Sequence, residues 1–375
     1  MTVHEMRRFH RDPLGFLQEA AGRSATDVFR LPWGAWCVRD TDLALKVLRD
    51  PLFNSRGTFF GGMLPTRMDQ VTLGRAVRHT VRTHLPAYRH AMARAVAGLP
   101  AASRWPASGL TLVHQAAADI LLHPASPPVL RLLQARYAHY GLMRSPLRRH
   151  RLRAELLRPK LHAATTAEIK VRRAADVLQG GARDVLDAVI ASCPQSVTDE
   201  TAARVYALLV KSIVGTVGYA VAWSLLLACV NHPAGTAWPW PVDWITREAA
   251  RHRPVVWMVG RPAPHAMEYG GCAVERGTVL SVSPYLLHHD PRRWAIPDQF
   301  LPERWSESTD HGPYLPFSAG PFTCGGAGVA QTMINEAVAA LPASSRLRVT
   351  GATLRPVVTD STAPRAFELQ RIPTR

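Results

Sequence analysis

Cysteine is scarce, and what there is forms no pattern. The residues Cys37, Cys193, Cys229, Cys272 and Cys324 are odd in number, scattered, and include no C-x-x-C pair. That excludes a disulfide framework and iron–sulfur or zinc spacing, and it predicts a reducing, cytoplasmic setting. No glycine-rich dinucleotide fingerprint is present, so the chain carries no nicotinamide-binding module of its own. No secretory signal is expected, since Met1 to Pro13 is charged and polar. Acidic residues are few, and none occurs from Thr201 to Val242. The formal charge of +17 comes from arginine more than lysine and is spread along the chain. Nucleic-acid binding is not supported, because zinc spacing, an aromatic–basic ribonucleoprotein motif and a basic tail are all missing. Two readings of the charge stay open: the codon bias of a GC-rich bacterial genome, or a basic face for an acidic protein or anionic substrate.

What is there suits a large core. With 375 residues, 47% of them hydrophobic, the chain can form one big domain or two. The longest apolar run is Ser212 to Val230, long enough to span a membrane. Gly215 and Gly218 interrupt it, Lys211 abuts it and Asn231-His232-Pro233 ends it sharply. The same pattern describes a helix through the middle of a globular protein, and a buried core helix, with no membrane span, is the reading adopted. The start of the chain reads as an amphipathic helix after Asp12-Pro13. Two short strands follow within Val28 to Val38, then a helix over Asp40 to Leu48 capped by Asp40 or Thr41. Gly57 to Gly74 reads as loop, and Arg75 to Leu99 as one basic helix. Residues 100–200 are helical in pattern, with basic runs such as Arg144 to Arg153 read as solvated faces. Pro254 to Gly260 reads as a strand, Glu268 to Pro284 as a hairpin with turns at Gly270-Gly271 and Arg276-Gly277, and Ser345 onward as short strands.

The stretch that organises the chain runs from Leu315 to Gly326. Its glycines and prolines predict a tight, rigid loop. Ala327 to Leu341 is Ala-rich with helical spacing, so Cys324 should stand just ahead of a helix, where free N–H groups and the positive dipole end favour a thiolate. Small neighbours leave room for a flat ligand. Two readings follow: an axial sulfur ligand for haem iron, or a buried structural cysteine.

Further motifs bear on that choice. Phe317, Gly320, Cys324 and Gly326 match the F-x-x-G-x-x-x-C-x-G loop of the cytochrome P-450 family. Glu248-Ala249-Ala250-Arg251, followed by Pro254, resembles its E-x-x-R helix, and Phe300 to Trp305 resembles the F-x-P-E-R-F/W segment ahead of the haem loop. Three motifs in the right order carry far more weight than any one. The sequence is identified as resembling that family in its soluble bacterial type.

The resemblance implies a mostly α-helical cytochrome P-450 fold with small β-sheets, forming a single domain over 1–375. It implies haem b held by Cys324 as axial ligand, with Phe317, Gly320 and Gly326 shaping the loop. Arg82, Arg78 and Arg261 would meet the propionates, while Glu248, Arg251 and Arg304 would form a buried structural network. Leu52 to Arg56 resembles the segment after the family's first short helix. The loop 57–74 would contact substrate, and Asp360 to Pro364 would reach back toward it. The implied activity is oxidation of a small organic substrate with dioxygen and two electrons. Those electrons would come from an external ferredoxin and reductase using NAD(P)H, in the tailoring of a bacterial natural product. A different class, a haem-thiolate binding or sensor protein without turnover, is the alternative.

Three departures stand out. Phe322 occupies a position where an Arg or His commonly binds a propionate. The connection from Pro233 to Glu248 is short. The central helix lacks the family's acid–alcohol pair, which relays protons toward dioxygen. Counting back from His232-Pro233 places Thr216 in the acid position and Val217 in the alcohol position; a one-residue slip restores Thr216 as the alcohol. The missing acid favours chemistry assisted by a carboxylate-bearing substrate, such as a peptide-derived one, with oxidative decarboxylation or coupling slightly favoured over plain hydroxylation.

Overall fold

The computed structural model describes residues 3–31, 33–55, 60–140, 142, 148–175, 181–306, 311–358 and 361–373. They fall into two compact units, and the chain passes between them more than once. The first comprises 1–57, 222–324 and 346–369, the second 58–221, 325–345 and 370–375.

The first unit is built on a four-stranded sheet. Its order is Val28–Arg30, Trp36–Val38, Val279–Val282 and Val259–Pro262. The first pair is an antiparallel hairpin that sets Phe29 opposite Cys37, the second is parallel with Cys37 opposite Ser281, and the third is antiparallel with Arg261 opposite Leu280. The β-branched, alternating composition explains the strands. One face buries Val28, Val38, Leu280 and Val282 with Val47, Leu48 and Phe53 from two short helices, Thr41–Arg49 and Pro51–Asn54. Asp40 caps the first by accepting from the amides of Asp42 and Leu43. The strand expected over Pro254 to Gly260 starts later, at Val259, because Pro254 and the bends after it cannot join the ladder. The segment 268–284 divides into a tight hairpin, Met267–Tyr269 with Cys272–Val274, and the sheet strand Val279–Val282. Its Gly270 and Gly271 both take positive φ in the turn.

The second unit is a helical stack. The single basic helix expected over 75–99 is two helices, Arg67–Thr83 and Leu85–Ala97. They break at His84 because Pro86 sits in the first turn of the second, where its missing N–H costs nothing. The first begins eight residues earlier than expected. Thr66 and Asp69 form a reciprocal capping box there, inside the stretch read as loop. Leu85–Ala97 packs on the helix Ala327–Ala340: the Tyr88 hydroxyl donates to the Met333 carbonyl at 3.3 Å, and Arg89 pairs with Glu336. Around them lie Ala107–Leu121, Pro128–Tyr140, Arg148–Ala174, Val185–Ser192 and Asp199–Val210. Arg172 is buried and satisfied by Asp184, Asp187 and Glu168 at 2.6–2.8 Å.

The apolar run is helical from Asp199 to Val230, and it is the one stretch among the described residues long and apolar enough to cross a membrane; 78% of its most apolar window is buried. Gly218 has a packing role: a Cβ there would meet Leu110 Cδ2 at 2.8 Å, and one at Gly109 would meet the Gly218 carbonyl at 3.3 Å. The glycines let two helices cross closely. Between Lys211 and Thr216 the helix widens into a π-helical turn.

Candidate functional site

Cys324 is exposed and free of any disulfide. Backbone hydrogen bonds close its loop, and the Thr323 hydroxyl adds one to the Gly320 carbonyl at 2.8 Å. Ser318 N–H donates to Leu315 O at 3.2 Å, Thr323 N–H to Gly320 O at 3.0 Å, and Cys324 N–H to Phe317 O at 2.9 Å. The sulfur therefore stands at the end of two nested turns. Gly320 takes φ +71°, and a Cβ there would lie 2.1 Å from the Leu48 carbonyl. Both facts demand glycine. Phe317 is half-buried at the loop's root. Beyond the cysteine, Gly326 precedes the helix Ala327–Ala340, and a Cβ on Gly325 would meet nothing within 4 Å.

Arg261 lies in the same unit, on the edge strand, only 9% exposed. Its Nε donates to the Asn54 side-chain oxygen at 2.7 Å and one Nη to the Gly260 carbonyl at 2.9 Å. Its guanidinium lies 5.0 Å from the centre of the Phe322 ring. No carboxylate pairs with it among the described residues, and burial lowers its pKa from the usual guanidinium range. A buried cation without a counter-ion is costly unless an anion arrives. Phe322, which departs from the family pattern, thus packs against the cation that remains, a contact of about 0.5–2 kcal/mol.

Asn54 was missed in the sequence and is central here. Its amide donates to the carbonyls of Val47, Leu48 and Asp50 at 3.3, 3.1 and 2.7 Å, closing the end of the helix Thr41–Arg49. Its oxygen receives Arg261. One 1%-exposed side chain therefore ties the helix end against which Gly320 packs to the buried cation.

Glu248, Arg251 and Arg304 are brought together. Arg251 grips the carboxylate of Glu248 through two nitrogens at 2.8 and 3.0 Å, both residues are fully buried, and Arg304 Nε reaches the same carboxylate at 3.1 Å. The Leu301 amide and the Trp305 indole add donors at 3.0 Å each. Arg251 also donates to the carbonyls of His288, Pro297 and Gln299. A second missed residue links this network to the cysteine loop. His288 Nδ1 lies 3.0 Å from the Arg251 carbonyl, while its Nε2 accepts from the Leu315 amide at 2.8 Å. That pair of partners requires neutral imidazole with the proton on Nδ1. Burial and Arg251 push its pKa down to about 3.

In the second unit, Arg78 and Arg82 lie one turn apart on the exposed side of the helix Arg67–Thr83. Arg78 donates to the Gly325 carbonyl at 3.3 Å; Arg82 makes no ion pair among the described residues. Thr216 ends the π-helical turn, and its hydroxyl donates to the Ser212 carbonyl at 2.5 Å. Counting back along an ideal α-helix thus holds only as far as Val217, which is buried. In the tip expected over Asp360 to Pro364, Asp360 lies outside the described residues, as do Arg56 to Phe59 and Arg144. Thr362 is buried, donating to the Pro254 carbonyl at 2.6 Å.

Comparison with known proteins places this arrangement. A profile described as Cytochrome P450 matches residues 242–341, the span that holds the glutamate network and the cysteine loop. That segment is similar to the cytochrome P450 family. Similar proteins include Cytochrome P450 3A7 of Homo sapiens, 36% identical over 87 residues, and Cyclooctatin synthase of Streptomyces melanosporofaciens, 34% identical over 114. Those alignments take in 22% and 29% of this chain and span 17% and 25% of the relatives' lengths. The fold extends much further. A mutant of P450 EryK in complex with erythromycin B superposes with a TM-score of 0.73 at 18% identity, covering 96% of both chains. P450BioI, in complex with a hexadec-9Z-enoic acid ligated Acyl Carrier Protein, superposes at the same score over 97% of this chain and all of that one. The mostly helical cytochrome P450 fold read from the motifs is thus observed across nearly the whole chain.

The residues present fit a haem. An exposed thiol outside any disulfide, open space at the glycine beside it, and a buried cation lacking a carboxylate among the described residues are what an iron-ligating sulfur, a flat macrocycle and a propionate require.

Proposed function

We propose that the protein is a haem-thiolate oxidoreductase in which residues 1–375 act as one cytochrome P450 domain. The observation that carries this is the cysteine loop: an exposed thiol outside any disulfide, positioned by the Cys324–Phe317 backbone bond, on a loop whose Gly320 admits no side chain. Cys324 would supply the thiolate that holds the haem iron, and Arg261 a cation for a propionate. Arg78 and Arg82 are the further candidate cations. When bound, haem b supplies the redox chemistry that activates dioxygen. Electrons come from an external ferredoxin and reductase drawing on NAD(P)H.

The chain's own contribution to proton supply is small. The segment Thr201 to Val242 has no carboxylate, and the proton of the Thr216 hydroxyl is committed to the Ser212 carbonyl. Acid relays commonly contribute about 10²–10⁴-fold, so the acid comes from water or from the substrate. A carboxylate-bearing small molecule, drawn in by an arginine-rich protein, fills that role and suits oxidative decarboxylation or coupling alongside hydroxylation. The natural-product and fatty-acyl ligands named for the structural neighbours support a tailoring role.

The reading is tested on the reduced, CO-treated protein. The strongly red-shifted Soret band of a haem-thiolate complex is expected, and Cys324→Ala should abolish it. Changes at Cys37, Cys193, Cys229 and Cys272 should leave it in place. A shifted band surviving in Cys324→Ala would overturn the assignment.

A further inference from the structure

The helix Arg148–Ala174 has two apolar faces, and only one of them is used. Thr165, Ile169 and Arg172 point inward and are buried, with Leu157 and Leu161 on the same side partly covered. On the opposite side Leu152 and Leu156, one turn apart, are 67% and 69% exposed. Arg148 continues that stripe one turn earlier and Pro159 one turn later. Arg149, Arg153 and Lys160 border it on one side, Arg151 and Glu155 on the other. Residues 148–160 therefore hold six cations and one carboxylate. Glu155 is paired with Arg158. Arg153 is propped against Tyr140, 3.2 Å from its hydroxyl and 5.1 Å from its ring centre. Arg148, Arg149, Arg151 and Lys160 make no ion pair among the described residues.

We infer that this stripe, Arg148, Leu152 and Leu156 with its flanking arginines, docks an acidic protein that presents a helix with its own narrow apolar seam. Charge decides the sign of the partner. A second copy of this chain would bring six cations against six, so self-association is disfavoured. Width decides its kind. Surface-lying membrane helices bury an apolar arc of about 100° or more, whereas this one is a single residue wide and hemmed by cations, as a helix–helix seam is. Arginine also suits carboxylates, whose two oxygens match its planar fork. With only two leucines at its centre the contact is transient.

The test uses the full-length protein and, as probe, a purified acyl carrier protein, chosen because it is small, acidic and helical. Saturable binding by NMR titration is expected at low salt, weakening roughly tenfold or more as salt is raised past the point where surface charges are screened. Arg148→Glu with Arg149→Glu should weaken it by roughly tenfold or more, and Leu152→Ser with Leu156→Ser by several-fold. Arg75→Glu, on a different basic helix, should leave it unchanged. The inference is overturned by absence of saturable binding or by leucine variants that bind like wild type. Equal loss in Arg75→Glu, which would mean net charge alone, also overturns it, as does capture by phosphatidylglycerol vesicles in place of the carrier protein.

Discussion

At the scale of single residues, the chemistry depends on side chains that are individually unremarkable in sequence. Arg261 is a buried guanidinium whose neighbours, Asn54 and Phe322, orient it without neutralising it. Removing it should forfeit the charge-assisted bond to a propionate, about 1.5–3 kcal/mol. Arg261→Leu should therefore release haem to an apo-globin acceptor about tenfold or more faster than wild type. Asn54→Ala should produce a smaller effect in the same direction, because the cation stays but loses its support. Haem loss unchanged in both would detach this pair from the site. Gly320 belongs to the same scale. Alanine there faces both left-handed backbone, about 1–2 kcal/mol, and the Leu48 carbonyl at 2.1 Å. Gly320→Ala should accumulate as haem-poor protein, visible in the ratio of Soret to protein absorbance.

At the scale of elements, the glutamate helix Val242–His252 anchors the loop through a chain of buried polar contacts. Glu248 collects five donated bonds from Arg251, Arg304, Leu301 and Trp305. Glu248→Ala leaves Arg251 buried without its partner, which costs about 3–5 kcal/mol, and should yield insoluble or apo protein. Soluble Glu248→Ala with full haem content would rule out an anchoring role. His288, His252 and His289 are all buried beside Arg251 or Arg253, and desolvation together with those cations depresses their pKa values, His288 to about 3. The sign follows from linkage. Unfolded histidine titrates near 6.5, so below that pH the unfolded chain binds more protons than the folded one, and stability falls as pH falls from 6.5 toward 3. Each such group contributes a slope of about 1.4 kcal/mol per pH unit within that window. Urea midpoints measured at pH 7 and pH 5 should drop accordingly. His288→Gln, which keeps a donor and an acceptor, should show a shallower drop.

At the scale of the whole molecule, the excess of arginine and the absence of acid in the central helix bear on one question, the source of the proton. The π-helical turn ends on Thr216 and turns its hydroxyl proton to the Ser212 carbonyl. Substrate-assisted protonation predicts that Thr216→Val and Thr216→Ala keep most activity on the true substrate, while esterifying the substrate's carboxylate abolishes turnover by wild type. Loss in the threonine variants with the ester still turned over would show the alcohol acting in the usual way.

Some of this was legible in the order of the residues alone. The cysteine loop, the glutamate helix and the segment before the loop are local patterns, because a tight turn needs Gly320 and a helix face needs Glu248 and Arg251 three residues apart. Asp40 as a helix cap and the paired strands at 28–38 were legible for the same reason: each is decided by neighbours within a few positions. The break at His84 carried a local signal in Pro86, outweighed by the continuous run of basic residues on either side. Asn54 and His288 carried no comparable signal. Each matters through partners far along the chain, Asn54 through Arg261 and His288 through Arg251 and Leu315. Burial made those bonds obligatory, since a polar side chain enclosed in a core must find partners wherever the fold supplies them. The π-helical turn was equally invisible, because α and π turns share the same apolar composition and differ only in how the chain packs. Sequence determined which residues could serve as thiolate, glycine hinge and ion pair. Only tertiary structure decided which buried groups hold them in place.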